Sequence, residues 1–201
     1  MAVHPRPAPR SPPLSSHFPV QARGGSGPAP GSGLARFNAL SPEAARAALL
    51  RCCGSRRWAH RMAAHRPYPD TGALAAAADE ASYDLSAAEM LAALATEEPA
   101  QLDYGTPYAA LLAYGVAHAE YERTFGHAFV ICLEGRSPQE RADEMLAAVR
   151  QRLAHEVDEE RSVAAEELRR VARARLSDLT QSLTSADGVS VAEIGPFAPV
   201  G

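Results

Sequence analysis

Two adjacent carboxylates, Glu97 and Glu98, stand in a polar stretch, Thr96-Glu97-Glu98-Pro99-Ala100-Gln101-Leu102-Asp103-Tyr104-Gly105, between two helical patterns. Burial disfavours the charged form of a carboxyl group, so either one, if buried, could hold a proton for acid–base chemistry. On spacing alone the pair also fits a solvated helix end. A fixed positive charge is available at Arg175, four residues after Val171 and therefore close to an apolar helical stripe. Such an arginine either lays its stem along the core edge or is aimed into a pocket. The third feature is Phe129-Val130-Ile131-Cys132-Leu133, apolar on both alternating faces and too short for a helix of its own. It reads as a buried extended segment or a helix-end connection. Its backbone N–H and C=O groups need partners, which can come from the fold, from ordered water or from a polar ligand.

Several other chemistries find no support. There is no phosphate-cradling Gly-rich loop, no HExxH or Cys/His metal spacing, and no serine elbow. Three cysteines, two of them the adjacent Cys52-Cys53, make no disulfide framework, and a reducing cytoplasm fits them best. His60 and His65 read as exposed helix residues.

The elements that must position these groups are helices. Ser41-Pro42-Glu43 opens the first, which runs to about Cys53, where Gly54 stops it. Ser55 caps a second with Trp58 and Met62 on one face, and Trp58 is expected to be buried against the first or the last helix. Asp70 caps a third, and Ser86-Ala87-Ala88-Glu89 is a capping box for a fourth. Thr106-Pro107 starts a fifth that ends at Phe125, with Gly126 at the left-handed position. Ser137-Pro138-Gln139-Glu140 opens the sixth, and the seventh follows Asp158. Seven helices and no clear strand give an all-α single bundle.

The Pro/Gly/Arg-rich residues 1–33 lack the apolar content to offset their ordering entropy and are expected to be a disordered extension. The helical domain is expected over 34–183 and a loose tail over 184–201. Formal charge is −4, and every one of the 20 basic residues is arginine. Four of them fall in residues 1–36, which hold no acid, so 16 arginines face 24 carboxylates in the rest. That acidic remainder is a poor match for nucleic acid. No apolar run approaches the roughly 20 residues of a membrane span, so neither nucleic acid nor membrane is expected as a partner.

Several segments, in order, resemble the OHCU decarboxylase family (2-oxo-4-hydroxy-4-carboxy-5-ureidoimidazoline decarboxylase). They are Phe37-Asn38, Arg51-Cys52-Cys53-Gly54-Ser55-Arg56-Arg57-Trp58-Ala59, and Ala119-Glu120-Tyr121-Glu122-Arg123-Thr124-Phe125-Gly126. Phe129-Val130-Ile131-Cys132, Gly135-Arg136-Ser137 and the run from Ala164 to Leu176 complete the set. The resemblance spans roughly 36–180 and implies an all-α, cofactor-free carboxy-lyase, possibly a homodimer. It would turn a small ureidoimidazoline into (S)-allantoin late in urate breakdown.

In that family a His-Pro pair supplies the acid, a Ser-x-x-Glu-Gln segment holds the substrate, and the Phe-Val-Ile-Cys stretch lends backbone groups. This chain departs from the pattern, because its shortened Leu94–Pro107 loop has no histidine. Glu98-Pro99 is nearest the His-Pro position, which makes Glu98 the first candidate acid and His118 the fallback, with His127 a further histidine just ahead of the apolar run. Pro99, Phe129, Val130, Ile131, Cys132, Leu133 and Arg175 are the expected substrate-binding positions, and no metal is expected. The alternative is a catalytically silent helical homologue that binds a ureide or a protein partner.

Overall fold

The computed structural model describes residues 27–29, 31–103 and 105–185. Most of the expected N-terminal extension and C-terminal tail lies outside them. The described residues form eight helices and no strand: α1 Gly33–Ala39, α2 Pro42–Cys52, α3 Arg56–Ala64, α4 Thr71–Tyr83, α5 Ala87–Leu94, α6 Tyr108–Phe125, α7 Pro138–Arg152 and α8 Val157–Ser185. None of these helices is long and apolar enough to cross a membrane.

The capping chemistry lies where the sequence puts it at five helix starts, while α6 begins after Pro107 with no side-chain cap and α8 begins at Val157, ahead of Asp158. Ser41, Ser55, Asp70, Ser86 and Ser137 each accept a backbone N–H of the first turn, and Ser86 and Ser137 complete capping boxes with Glu89 and Glu140. Gly126 ends α6 at φ 76°, in the left-handed region.

The extra helix is α1. It hides inside a Gly/Ser-rich stretch because what stabilises it is tertiary. Gly33 lies so close to α8 that a Cβ would sit 1.6 Å from the Thr180 carbonyl oxygen. The Gly33 N–H donates to Thr184 Oγ1 at 2.9 Å, and Arg36 Nη1 donates to Leu183 O at 2.8 Å. Near the end of α1, Asn38 clamps the Tyr68 backbone in both directions, and Arg66 Nη1 donates to Phe37 O and Leu40 O.

Helix α8 is the spine, touching α1, α2, α4 and α5. Around it one apolar core gathers Phe37, Leu49, Trp58, Met62, Leu94 and Leu168. Trp58 is fully buried, and its Nε1 donates to Ala78 O on α4 at 3.0 Å, so its polar tie is to α4 rather than to the first or last helix. A second core, built on α6 and α7, holds Tyr114, Tyr121, Phe129, Ile131, Leu133, Met145 and Val149.

The run Phe129–Leu133 joins the two. Its extended backbone alternates faces, so Val130 enters the first core while Phe129, Ile131 and Leu133 enter the second. A buried polar hub fixes this junction. Arg152 donates from Nη1 to Val130 O at 2.7 Å and from Nε to Glu160 Oε1 at 2.9 Å, with its guanidinium 4.6 Å from the Phe129 ring centre. Tyr121 donates its hydroxyl to Glu160 and accepts from Arg152 Nη2.

Candidate functional site

Helix α5 ends at Leu94, and its last carbonyls are taken up by a tightening turn: Thr96 N–H donates to Ala93 O and Glu97 N–H to Leu94 O. That turn drives the Glu97 side chain inward against α8. Glu97 Oε2 lies 2.9 Å from Arg175 Nη1, and the Glu97 side chain retains 5% exposure against 22% for Arg175. The same Nη1 donates to Cys52 O at 3.3 Å, tying the end of α2 to the pair. Gly54 allows the approach, since a Cβ there would sit 1.8 Å from Thr96 Oγ1.

The electrostatics follow from this burial. Desolvation raises the Glu97 pKa, the charge and hydrogen bond of Arg175 oppose it, and the Glu98 charge adds to the rise, leaving the carboxyl above its ordinary range. Burial likewise pushes the Cys52 thiol up to about 12, against the opposing charges of Arg175 and Arg51, and Cys53 up to about 11. Both thiols stay protonated at neutral pH and are poor nucleophiles.

Glu98 is exposed beside this pair, and Pro99 is half-buried. The loop then meets the apolar run directly: Ala100 N–H donates to Phe129 O at 3.3 Å, and Tyr114 OH donates to Ala100 O at 2.7 Å. Glu167, on α8, accepts the Cys132 N–H at 2.8 Å. Phe129 O, Val130 O and Cys132 N–H therefore have protein partners. Arg175, the loop after α5 and the run are linked through residues 97–100.

His118 lies elsewhere. It packs beside Tyr114 with ring centres 5.6 Å apart, and its Nδ1 is 3.8 Å from Glu122. No hydrogen bond or ion pair among the described residues joins it to Glu97, Glu98 or Arg175. His127 is buried edge-on against Tyr121, its Nδ1 beside Ala128 O. Near Cys132 a cavity of about 430 Å³ is lined by Glu134, Gly135, Arg136, Arg170 and Arg173. Arg170 there is paired with Glu166 and Glu167, and Arg173 with Asp79. No cluster of three or more His, Cys, Asp or Glu among the described residues is placed to hold a metal.

Sequence reading took Glu98 as the first candidate acid from its place before Pro99, but which carboxylate turns inward depends on a non-helical turn, and it is Glu97 that is buried while Glu98 is exposed. It also missed Arg51, whose Nε and Nη2 are buried without a hydrogen-bond partner among the described residues.

The model of the OHCU decarboxylase family matches residues 38–99 and 97–177, well over half of the chain. A crystal structure of OHCU decarboxylase in the presence of (S)-allantoin superposes with a TM-score of 0.58 at 23% identity, covering 66% of this chain and 96% of that one. A crystal structure of (S)-allantoin synthase gives 0.58 at 19% identity, covering 73% of this chain and 53% of that one. At these identities the likeness is one of fold. No curated protein matches the chain.

Proposed function

The chain belongs to the OHCU decarboxylase family, a family of urate breakdown, and from that premise we propose that it decarboxylates 2-oxo-4-hydroxy-4-carboxy-5-ureidoimidazoline to (S)-allantoin without a cofactor. The observation that carries the reading is the buried Glu97–Arg175 pair, at 2.9 Å, inside the family's fold.

The reaction breaks the bond between a ring carbon and the carboxylate. The electron pair of that bond passes into the ring, CO₂ leaves, and one proton is taken up on one face. A site for it needs a fixed cation for the carboxylate and an acid that is protonated near neutral pH. Arg175 supplies the first through its planar fork, which suits a carboxylate.

Glu97 supplies the second by exchange of partners. In the free protein Arg175 holds down a carboxyl group that burial would otherwise raise further. A substrate carboxylate drawn to Arg175 takes over that charge, and Glu97, left buried with less compensation, takes up a proton. The protonated acid then stands beside the ring that needs it. Glu98, exposed on the same loop, is the neighbouring candidate. The backbone of Phe129–Leu133 closes the apolar side and lowers the local dielectric.

The test is a coupled assay in which urate, urate oxidase and hydroxyisourate hydrolase are mixed with this protein and optically active allantoin is followed. A rate above the spontaneous background is expected. Glu97→Gln abolishes turnover with the fold intact, Arg175→Ala weakens substrate binding, and Glu98→Gln and His118→Ala retain turnover. A wild-type rate equal to background sinks the enzyme reading and leaves the silent homologue that binds a ureide or a protein partner. Full activity in Glu97→Gln with loss in Glu98→Gln transfers the acid role to Glu98.

A further inference from the structure

Between the end of α4, α5 and the first half of α8 lies a cavity of about 230 Å³, and neither Glu97 nor Arg175 lines it. Its floor is apolar. Leu85, Met90, Leu91 and Leu94 form one side and Ala165 of α8 the other. Met90 and Leu94 are buried, whereas Leu85, Leu91 and Ala165 are only partly covered by the core. Polar groups stand around them: Arg161, Ser162 and Arg169 from α8, and Ser82 and Tyr83 from the end of α4. A mostly apolar lining with a few polar groups that fix orientation is the composition of small-molecule sites. The volume falls below the roughly 300–1,000 Å³ of drug-sized sites and suits a ligand of about ten non-hydrogen atoms.

The charges select the chemistry of that ligand. Arg161, Ala165 and Arg169 recur every four residues along one face of α8, which sets the two arginines two turns, or about 12 Å, apart along the helix. Arg169 is committed to the fold. Its Nε donates to Glu166 at 3.1 Å, and its guanidinium carbon lies 4.4 Å from the centre of the Tyr83 ring, so it props that exposed ring as a wall of the cavity. Arg161 is not committed. Its side chain is 50% exposed, and its partner Asp158, three residues back on the same helix, is 92% exposed. A pair so open to water contributes little, and Arg161 can exchange Asp158 for another carboxylate at small cost. Two cations at the rim disfavour an amine, and the apolar floor offers no partner to a second polar end.

We propose that this cavity binds a small monocarboxylate with an apolar body, of the class of a medium-chain alkanoate. Its carboxylate pairs with Arg161, and its chain lies over Met90, Leu91 and Leu94 toward Tyr83. Octanoate has the size the cavity takes.

The experiment is titration of the full chain with sodium octanoate, followed by backbone amide shifts in nuclear magnetic resonance and by calorimetry. Saturable shifts are expected in α5, in residues 82–87 and in residues 161–169. Octanol is expected to bind about tenfold more weakly, because it lacks the charge-assisted contact. Arg161→Gln is expected to bring octanoate down to the level of octanol and to leave octanol unchanged. Ala165→Leu fills the cavity with a good helix former and is expected to abolish both, with unchanged circular dichroism. Leu91→Phe, on the opposite wall, repeats that test should Ala165→Leu disturb the fold. Glu97→Gln and Arg175→Ala are expected to bind octanoate as the wild type does, so the outcome is independent of the decarboxylase reading. Absence of saturable shifts throughout the millimolar range overturns the proposal. Equal affinity for octanoate and octanol overturns the carboxylate requirement, and loss of octanoate binding in Arg175→Ala with retention in Arg161→Gln overturns the location.

Discussion

Phe129 and Val130 are consecutive, yet their side chains belong to different cores: Phe129 to the one around α6 and α7, and Val130 to the one around α8. An extended backbone points neighbouring side chains to opposite sides, so a single five-residue strap can weld two helical layers. The carbonyls exposed by that conformation are met by Ala100 at Phe129 and by Arg152 at Val130. The strap therefore joins the layers and ties them to the loop that bears Glu97.

Arg152 is the most exacting member of this junction. It is 5% exposed, and its partner Glu160 is fully buried. Arg152→Met takes the guanidinium from the buried Glu160 carboxylate, leaving it the Tyr121 hydroxyl and His155 Nδ1, 2.8 Å from Oε2, and is expected to cost about 3 kcal/mol of stability. The double variant Arg152→Met/Glu160→Leu is expected to lose less than the single one, because the uncompensated charge is gone. Urea denaturation measures both, and an equal or larger loss in the double variant would contradict this account.

Trp58 anchors the other core. Truncation to alanine opens a large cavity and removes the Nε1 hydrogen bond to the Ala78 carbonyl, which keeps the Ser82 hydroxyl as a donor. Trp58→Ala is expected to cost about 3–5 kcal/mol, read as a fall in melting temperature. An unchanged melting temperature would contradict the burial.

Much of the helical framework is legible in the sequence because its signals are local. Ser41, Ser55, Asp70, Ser86 and Ser137 act within one turn of themselves. The apolar run is legible as a buried non-helical segment because alternation has a short period. Other features depend on contacts between distant residues. Helix α1 exists because Gly33 fits against Thr180, and no composition of seven residues carries that information. The hub is half legible. Glu160 falls on the same stripe as Ala164 and Leu168, and Arg152 on that of Met145 and Val149, so both read as charged residues on apolar faces. Their pairing across a helix junction does not follow from either stripe. The family pattern points to Glu98 through Pro99, and that Glu97 is the carboxylate turned inward is illegible for the same reason, since its partner Arg175 lies in another helix.

Gly54 tests how the site is held. Any side chain there collides with Thr96, one residue before Glu97. Gly54→Ala is expected to push the turn after α5 outward and loosen the Glu97–Arg175 contact, lowering both stability and allantoin formation. Thr96→Gly in the same chain removes the obstructing side chain and is expected to recover part of each. No recovery would show that the Gly54 effect does not pass through Thr96.

The raised Glu97 pKa makes a signed prediction about stability. The folded protein holds the Glu97 proton more tightly than the unfolded chain does, chiefly because burial disfavours the carboxylate. Its contribution is fully present below the ordinary carboxylate range and is lost as pH rises through the folded value. Measured against Glu97→Gln, which cannot ionise, the wild type is therefore expected to lose stability as pH climbs from about 4 and to level off once Glu97 is charged. Arg175→Met sharpens the test. Arg175 opposes the rise, so its removal lifts Glu97 further, and the decline should extend to higher pH when Arg175→Met is compared with Arg175→Met/Glu97→Gln. Denaturation midpoints across pH 4–8 for the four proteins decide it. A wild type that gains stability over Glu97→Gln as pH rises would show that Arg175 outweighs desolvation, and Glu97 would then be a bound anion instead of an acid.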